Sequence, residues 1–296
     1  MQGPDVDRRR EVFRFRGWDR LSAYLTDSGI AVNIVTNGYR IGEAEIEQIK
    51  RAKVVNVGVS IDGMEANHNR LRGRRDAFQH VRNTFDLLNR AGIETGAVTT
   101  LTRFNCADLE DLYVLLLERG VRVWQLQLVV PMGNMAKRSD VVVSLEQVRE
   151  VIEFIREKAC ERRMVVIAAD SIGYFDDNES YIRGNSSPIC FWGGCAAGTS
   201  SVFIDSIGNV KGCGALYADV FIEGNVRERS LADIWNAPDG FAYNRKFTTD
   251  LLSGMCRGCT VGEACRGGCR SANYFSTGSL YSGAFCCRPR RARPQA

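Results

Sequence analysis

Nine of the 11 cysteines fall between Cys190 and Cys287, and only Cys106 and Cys160 precede them. No other feature restricts the fold as tightly. The densest run is Cys256-x2-Cys259-x5-Cys265-x3-Cys269. Upstream lies Cys195-x12-Gly208-x4-Cys213, with Cys190 before it and the pair Cys286 and Cys287 at the end. Thiolates are soft ligands that suit iron–sulfur clusters and zinc. Eight of the nine thiols would fill two four-ligand sites. Zinc ribbons use the same tight spacing, and disulfides are the third alternative. Gly258, Gly262, Gly267 and Gly268 let the backbone turn around a bulky centre of either metal kind.

Composition sets the compartment. With 296 residues, 45% of them hydrophobic, the chain can bury a full core in one large domain or two ordinary ones. The net charge of +4 is too small to indicate nucleic acid, and the basic runs Arg8–Arg10 and Arg288–Arg293 read as solvated tails. No apolar run reaches the roughly 18 residues of a membrane span. Met1-Gln2-Gly3-Pro4-Asp5 contains no signal-peptide core. These features place the chain in the cytoplasm, away from membranes, where disulfides are disfavoured.

The cysteine-poor front reads as alternating helices and strands. Trp18, Leu21 and Leu25 predict a helix over 18–28 that stops at Gly29; Ala31–Val35 follows as a buried strand. Helices are expected over 44–49, from Phe78 to Gly92, from Asn105 to Gly120, and from a Ser144/Gln147 capping box to Arg162. The intervening strands are 54–60, 95–101, 122–130 and 165–169. Such alternation means right-handed parallel crossovers, either part of a barrel or a doubly wound sheet. In both, a ligand site forms at the C-terminal strand ends. Those ends are Thr36-Asn37-Gly38, Ser60-Ile61-Asp62-Gly63, Thr100-Leu101-Thr102-Arg103 and Pro131-Met132-Gly133. A loop-rich stretch near 170–188 separates front from back, and 202–210 reads as a hairpin with a Gly–Asn turn that carries Cys213.

The cysteine spacing resembles the SPASM domain, the C-terminal module of radical S-adenosylmethionine enzymes that mature peptides and proteins. Gly224-Asn225-Val226-Arg227-Glu228-Arg229-Ser230-Leu231 leading to Ile234-Trp235 resembles the stretch that precedes the dense cysteine run in such domains. Val35-Thr36-Asn37-Gly38, Val59-Ser60-Ile61-Asp62-Gly63, His68 and Arg72-Gly73 resemble the middle of a radical SAM barrel. The resemblance implies an α/β fold: a partial (β/α) barrel over 1–170, a linker over 171–189, a small cysteine-rich α+β SPASM domain with a hairpin over 190–288, and a basic tail. It also implies two auxiliary [4Fe–4S] clusters. One would sit on Cys190, Cys195, Cys213 and Cys269; the other on Cys256, Cys259, Cys265 and either Cys286 or Cys287, of which Cys287 fits the spacing better. S-Adenosylmethionine would be held by Asn37, by Ser60 and Arg72 at its methionine part, and by Leu126 against the adenine. His68 and Asp62 are expected to be turn-forming.

Two departures accompany the resemblance. The Cys-x3-Cys-x2-Cys motif that holds the family's third, radical-generating cluster is not among the 296 residues, and neither is Gly-Gly-Glu-Pro. The expectation is an incomplete chain that begins near the helix before the third barrel strand. Gly214 follows Cys213 where sulfatase-maturing members carry an Asp, which points to modification of ribosomally made peptides. In an intact member a 5′-deoxyadenosyl radical abstracts hydrogen from a precursor peptide or protein, and a thioether or carbon–carbon crosslink results. A reductant such as ferredoxin or flavodoxin is the implied electron source. The alternatives are a cluster- or zinc-holding module without radical chemistry, and a redox-cofactor builder of the same superfamily.

Overall fold

The computed structural model describes residues 11–133, 136, 138–172, 178–184 and 192–283. The chain forms two compact units, one of residues up to 129 with 153–169, the other of 130–152 with residues from 170 onward.

In the first unit five strands form one parallel sheet: β1 (Asn33–Thr36), β2 (Asn56–Ser60), β3 (Thr95–Leu101), β4 (Val123–Leu128) and β5 (Val165–Ala168). Their spatial order is β1-β2-β3-β4-β5. A doubly wound sheet would reverse direction at a switch point; this order does not, so the sheet is an arc of a barrel. The linking helices are α1 (Trp18–Asp27), α2 (Glu43–Arg51), α3 (Glu65–Arg72), α4 (Ala77–Arg90), α5 (Leu109–Glu118) and α6 (Leu145–Glu161). Helix α4 buries Phe78, Val81, Phe85 and Leu88 along one stripe, as their spacing requires. The capping box before α6 is reciprocal: Ser144 N–H donates to Gln147 Oε1 at 3.1 Å, and Gln147 N–H to Ser144 Oγ at 3.2 Å.

Three local expectations are corrected. Strand β1 is not buried on both sides; it is an edge strand, and Val35 is 61% exposed. Helix α3 was not anticipated, because Glu-Ala-Asn-His-Asn-Arg-Leu-Arg has no apolar stripe. Asn105 does not cap α5; it precedes a 3-10 turn over Cys106–Asp108, and its amide is spent between strand ends.

The second unit has little regular structure. Strands β6 (Phe203–Ile204), β7 (Asn209–Lys211) and β8 (Gly224–Asn225) form a small antiparallel sheet in that order. The turn between β6 and β7 is organised by Asp205, whose Oδ1 accepts from Ile207 N at 3.0 Å and Asn209 N at 2.9 Å. It is therefore an Asx turn rather than a two-residue Gly–Asn turn, and Cys213 lies two residues beyond β7. Short helices follow: α7 (Glu179–Ile182) before the sheet, then α8 (Leu231–Trp235), α9 (Ala242–Arg245), α10 (Gly262–Cys265) and α11 (Arg270–Thr277) after it.

Candidate functional site

Side chains alternate across a strand, so register assigns each residue to a face. Val59, Ala97, Trp124 and Val166 lie side by side on one face. That face is covered by helices: Trp124 packs edge-on against Phe154 of α6 with ring centroids 5.8 Å apart. Trp124 also donates from Nε1 to Thr99 Oγ1 at 2.8 Å. The opposite face carries Val35, Gly58, Ser60, Gly96, Val98, Thr100, Gln125 and Gln127. It is the less buried face, with Val35 and Val165 largely exposed. A parallel sheet is ordinarily covered on both faces. Here, among the described residues, one face is the less covered, polar toward its C-terminal end, and without side chains at the two buried glycines.

Ser60 lies on this open face, half-buried. Gln127 Nε2 donates to Thr100 Oγ1 at 3.0 Å beside it. Leu126 does not lie there. It is fully buried on the helix-covered face with Trp124 and Leu128. A one-residue offset flips a strand side chain to the other face, and β4 presents Gln125 and Gln127 instead. Asn37 sits just past β1, where its Oδ1 accepts from Tyr39 N at 2.8 Å and its own N–H donates to Glu11 Oε2 at 3.0 Å.

Asp62 ties the ends of β2 and β3 to α3. Its Oδ1 accepts from Thr100 N at 3.0 Å and its Oδ2 pairs with Arg72 Nη2 at 2.8 Å. Its N–H donates to His68 Nδ1 at 2.9 Å, so the proton of that ring is on Nε2. Asn105 Nδ2 closes the knot with bonds to Asp62 O and Thr100 O at 2.8 and 2.9 Å. Burial, reinforced by the Arg72 cation, pushes the His68 pKa down to about 3, so this imidazole is neutral. His68 is thus a buried helical residue rather than a turn former. His68 Nε2 and Arg72 Nε have no partner among the described residues. Gly63 is obligatory here: its φ is +135°, and a Cβ would fall 2.6 Å from Asp108 Oδ2.

In the second unit Cys195, Cys265 and Cys269 are buried in one core with Trp192, Leu216, Phe221 and Ala272, and Cys213 packs against it. Cys269 is the residue before α11, and its Sγ lies 3.3 Å from Ser271 Oγ. The N–H groups of Arg270 and Ala197 favour a thiolate at Cys195, and that of Ala272 does so at Cys269. Burial works against them, raising Cys195 and pushing Cys269 up to about 11. Asn244 fixes the Cys195 loop by donating from Nδ2 to Cys195 O and Ala197 O at 2.6 and 2.8 Å. Cys256, Cys259 and Cys265 share one tight loop: Cys259 N–H donates to Cys256 O at 3.1 Å, and Cys265 ends α10. Cys256 Sγ accepts from Gly283 N at 3.0 Å. Cys190, Cys286 and Cys287 lie outside the described residues.

These residues fit the groups in question. Buried thiols with converging N–H donors suit a thiolate-ligated cluster. The buried Arg270, with Nε and Nη2 unpartnered among the described residues, provides a cation in the same unit. Thr100 lies at one of the expected strand ends, whereas Arg270 and Asn244 carried no signal in the sequence. Gln125 and Gln127 had a signal, since Trp-Gln-Leu-Gln-Leu alternates with a period of two.

Residues 4–116 match the Radical SAM superfamily, and residues 195–260 match SPASM, an iron–sulfur cluster-binding domain. The AdoMet-dependent heme synthase of Nitratidesulfovibrio vulgaris is 30% identical over 285 residues, covering 93% of this chain and 76% of that protein. The mycofactocin maturase MftC of Mycolicibacterium smegmatis is 26% identical over 266 residues, 88% of this chain and 63% of that protein. The crystal structure of Streptococcus suis SuiB bound to S-adenosylmethionine superposes with a TM-score of 0.68 at 18% identity, over 92% of this chain. The chain spans 63% of SuiB. The cofactors of these two domains are [4Fe–4S] clusters and S-adenosylmethionine. The chain belongs to the radical S-adenosylmethionine superfamily of enzymes, among the members that carry a SPASM cluster-binding domain.

Proposed function

We propose that this chain provides the S-adenosylmethionine face and the auxiliary-cluster domain of a radical enzyme. The observation that carries this reading is the burial of Cys195, Cys265 and Cys269 in one core, with Cys213 packed against it and backbone N–H donors at Cys195 and Cys269, although among the described residues no three such side chains already stand as a metal-ligand group. With Cys190 they would form the first cluster's ligand set. Cys256, Cys259 and Cys265, with Cys287 or Cys286, would form the second. Ser60, with Arg72 held by Asp62, would position the methionine part of the cofactor on the open sheet face, and Asn37 stands at the neighbouring strand end. Bound together, these cofactors supply a 5′-deoxyadenosyl radical, with electrons from a carrier such as ferredoxin or flavodoxin.

For the substrate we propose a tetrapyrrole, a reading supported by the 30% identity with a heme synthase over 93% of the chain. A second reading, a ribosomally made precursor peptide, is supported by Gly214 after Cys213 and by the similarity to MftC. Anaerobic reconstitution followed by titration with coproporphyrin separates the two. A saturable shift of the porphyrin Soret band that needs the reconstituted chain supports the first. An unchanged Soret band overturns it, and retention of a peptide encoded beside the gene then supports the second.

A further inference from the structure

Arg270 is fully buried at the start of α11, directly after Cys269. Only Nη1 is engaged, donating to Arg266 O at 2.6 Å and Leu280 O at 3.2 Å. Nε and Nη2 have no partner among the described residues, and no carboxylate there pairs with the guanidinium. Its cation lies over the rings of Tyr281 and Phe247 at 4.7 and 5.4 Å. Cys269 is its immediate neighbour in the chain, its own backbone N–H is among the donors at Cys195, and Cys195, Cys265 and Cys269 share one core. A buried cation without a counter-charge costs several kcal/mol. The amino end of α11 adds further positive potential at the same place. A cluster ligated by four thiolates is negatively charged and would supply the counter-charge that Nε and Nη2 lack among the described residues. Tyr243 is a weaker case: its buried hydroxyl lies against Gly212, whose N–H leaves the hydroxyl proton free to donate, and the ring packs on the same cysteine core.

We infer that Arg270 is the fixed cation of the auxiliary clusters: its Nε and Nη2 donate to their sulfur shell and raise the potential at which they accept an electron. Tyr243 Oη is a second, weaker donor. The inference rests on the cluster reading above and adds a function for residues that ligate nothing. Hydrogen bonds to sulfur and local charge are the protein's means of setting a cluster potential.

The test is a dye-mediated redox titration of the whole chain, reconstituted anaerobically and followed by electron paramagnetic resonance, with iron measured on the same samples. Wild type, Arg270→Lys, Arg270→Gln and Tyr243→Phe are compared. At unchanged iron content, Arg270→Gln should lower at least one midpoint potential by about 59 mV, which is tenfold in the one-electron equilibrium. Arg270→Lys and Tyr243→Phe should give smaller shifts in the same direction. Unchanged potentials at full iron content overturn the inference while leaving the cluster reading intact. A chain that takes up zinc and no iron overturns the cluster reading and the inference with it. If Arg270→Gln does not fold, the other two variants decide: a shift in either supports the proposal, and none in both overturns it.

Discussion

The two units are held together by different physics. The sheet unit buries Trp124, Phe85, Ile46, Ile49, Leu88, Leu101, Leu112 and Leu116 almost completely, and its strands are joined by continuous ladders. The cysteine unit has strands of two or three residues and, from β6 onward, no α-helix longer than eight. Its core includes a buried arginine and two buried asparagines, Asn244 and Asn273, each with an unpartnered atom among the described residues. Apolar burial of about 25 cal/mol per Å² can organise the first. It cannot by itself organise the second, where metal–ligand bonds stand in for secondary structure.

The largest expected effect is that of metal removal. Stripping iron from the reconstituted chain should collapse hydrogen-exchange protection in β7 and α11, while amides of β2, β3 and β4 stay protected. Equal loss in both units would break the comparison. Cys269→Ser should remove about four of about eight irons, since each [4Fe–4S] site takes four; loss of all iron would show the two sites to be one cooperative unit.

Phe85→Ala strikes the other unit. A fully buried phenylalanine truncated to alanine costs about 3–5 kcal/mol, readable by chemical denaturation, with iron content unchanged. Gly63→Ala should cost about 1–3 kcal/mol, from the positive φ and the close Asp108 carboxylate. A neutral result there would mean that the α3 entry is slack.

At neutral pH the smallest effect is that of His68, which acts only in acid. Its folded pKa lies below the unfolded value, so the folded state binds the proton less readily. The neutral ring's contribution is full above about 6.5 and is lost as pH falls toward about 3. His68→Gln should flatten the acid limb of a stability–pH curve without altering the limb above pH 7.

The contrast also explains what could be read from the chain. Strands such as Thr95–Leu101 and helices such as α4 announce themselves by periodicity, because their stability comes from one apolar face. Helix α3 was invisible for the converse reason. Its anchors are polar and lie outside the helix: His68 accepting from Asp62, and Asn67 donating to the distant Asp108 at 2.8 Å. Leu126 shows a different limit. The resemblance set it against the adenine, and only register reveals that it lies on the helix-covered face. In the cysteine unit spacing identified the thiols. It could not identify Arg270, whose role depends on a loop carbonyl ten residues away and on sulfur from two other segments.

The strand order β1-β2-β3-β4-β5 has a consequence for how the protein is made. Each strand pairs with the one synthesised just before it. As the chain leaves the ribosome, each of β2 to β5 finds its neighbour already in place. The cysteine-rich segment follows these five strands. Iron delivery is then the one assembly step that the order of synthesis does not schedule.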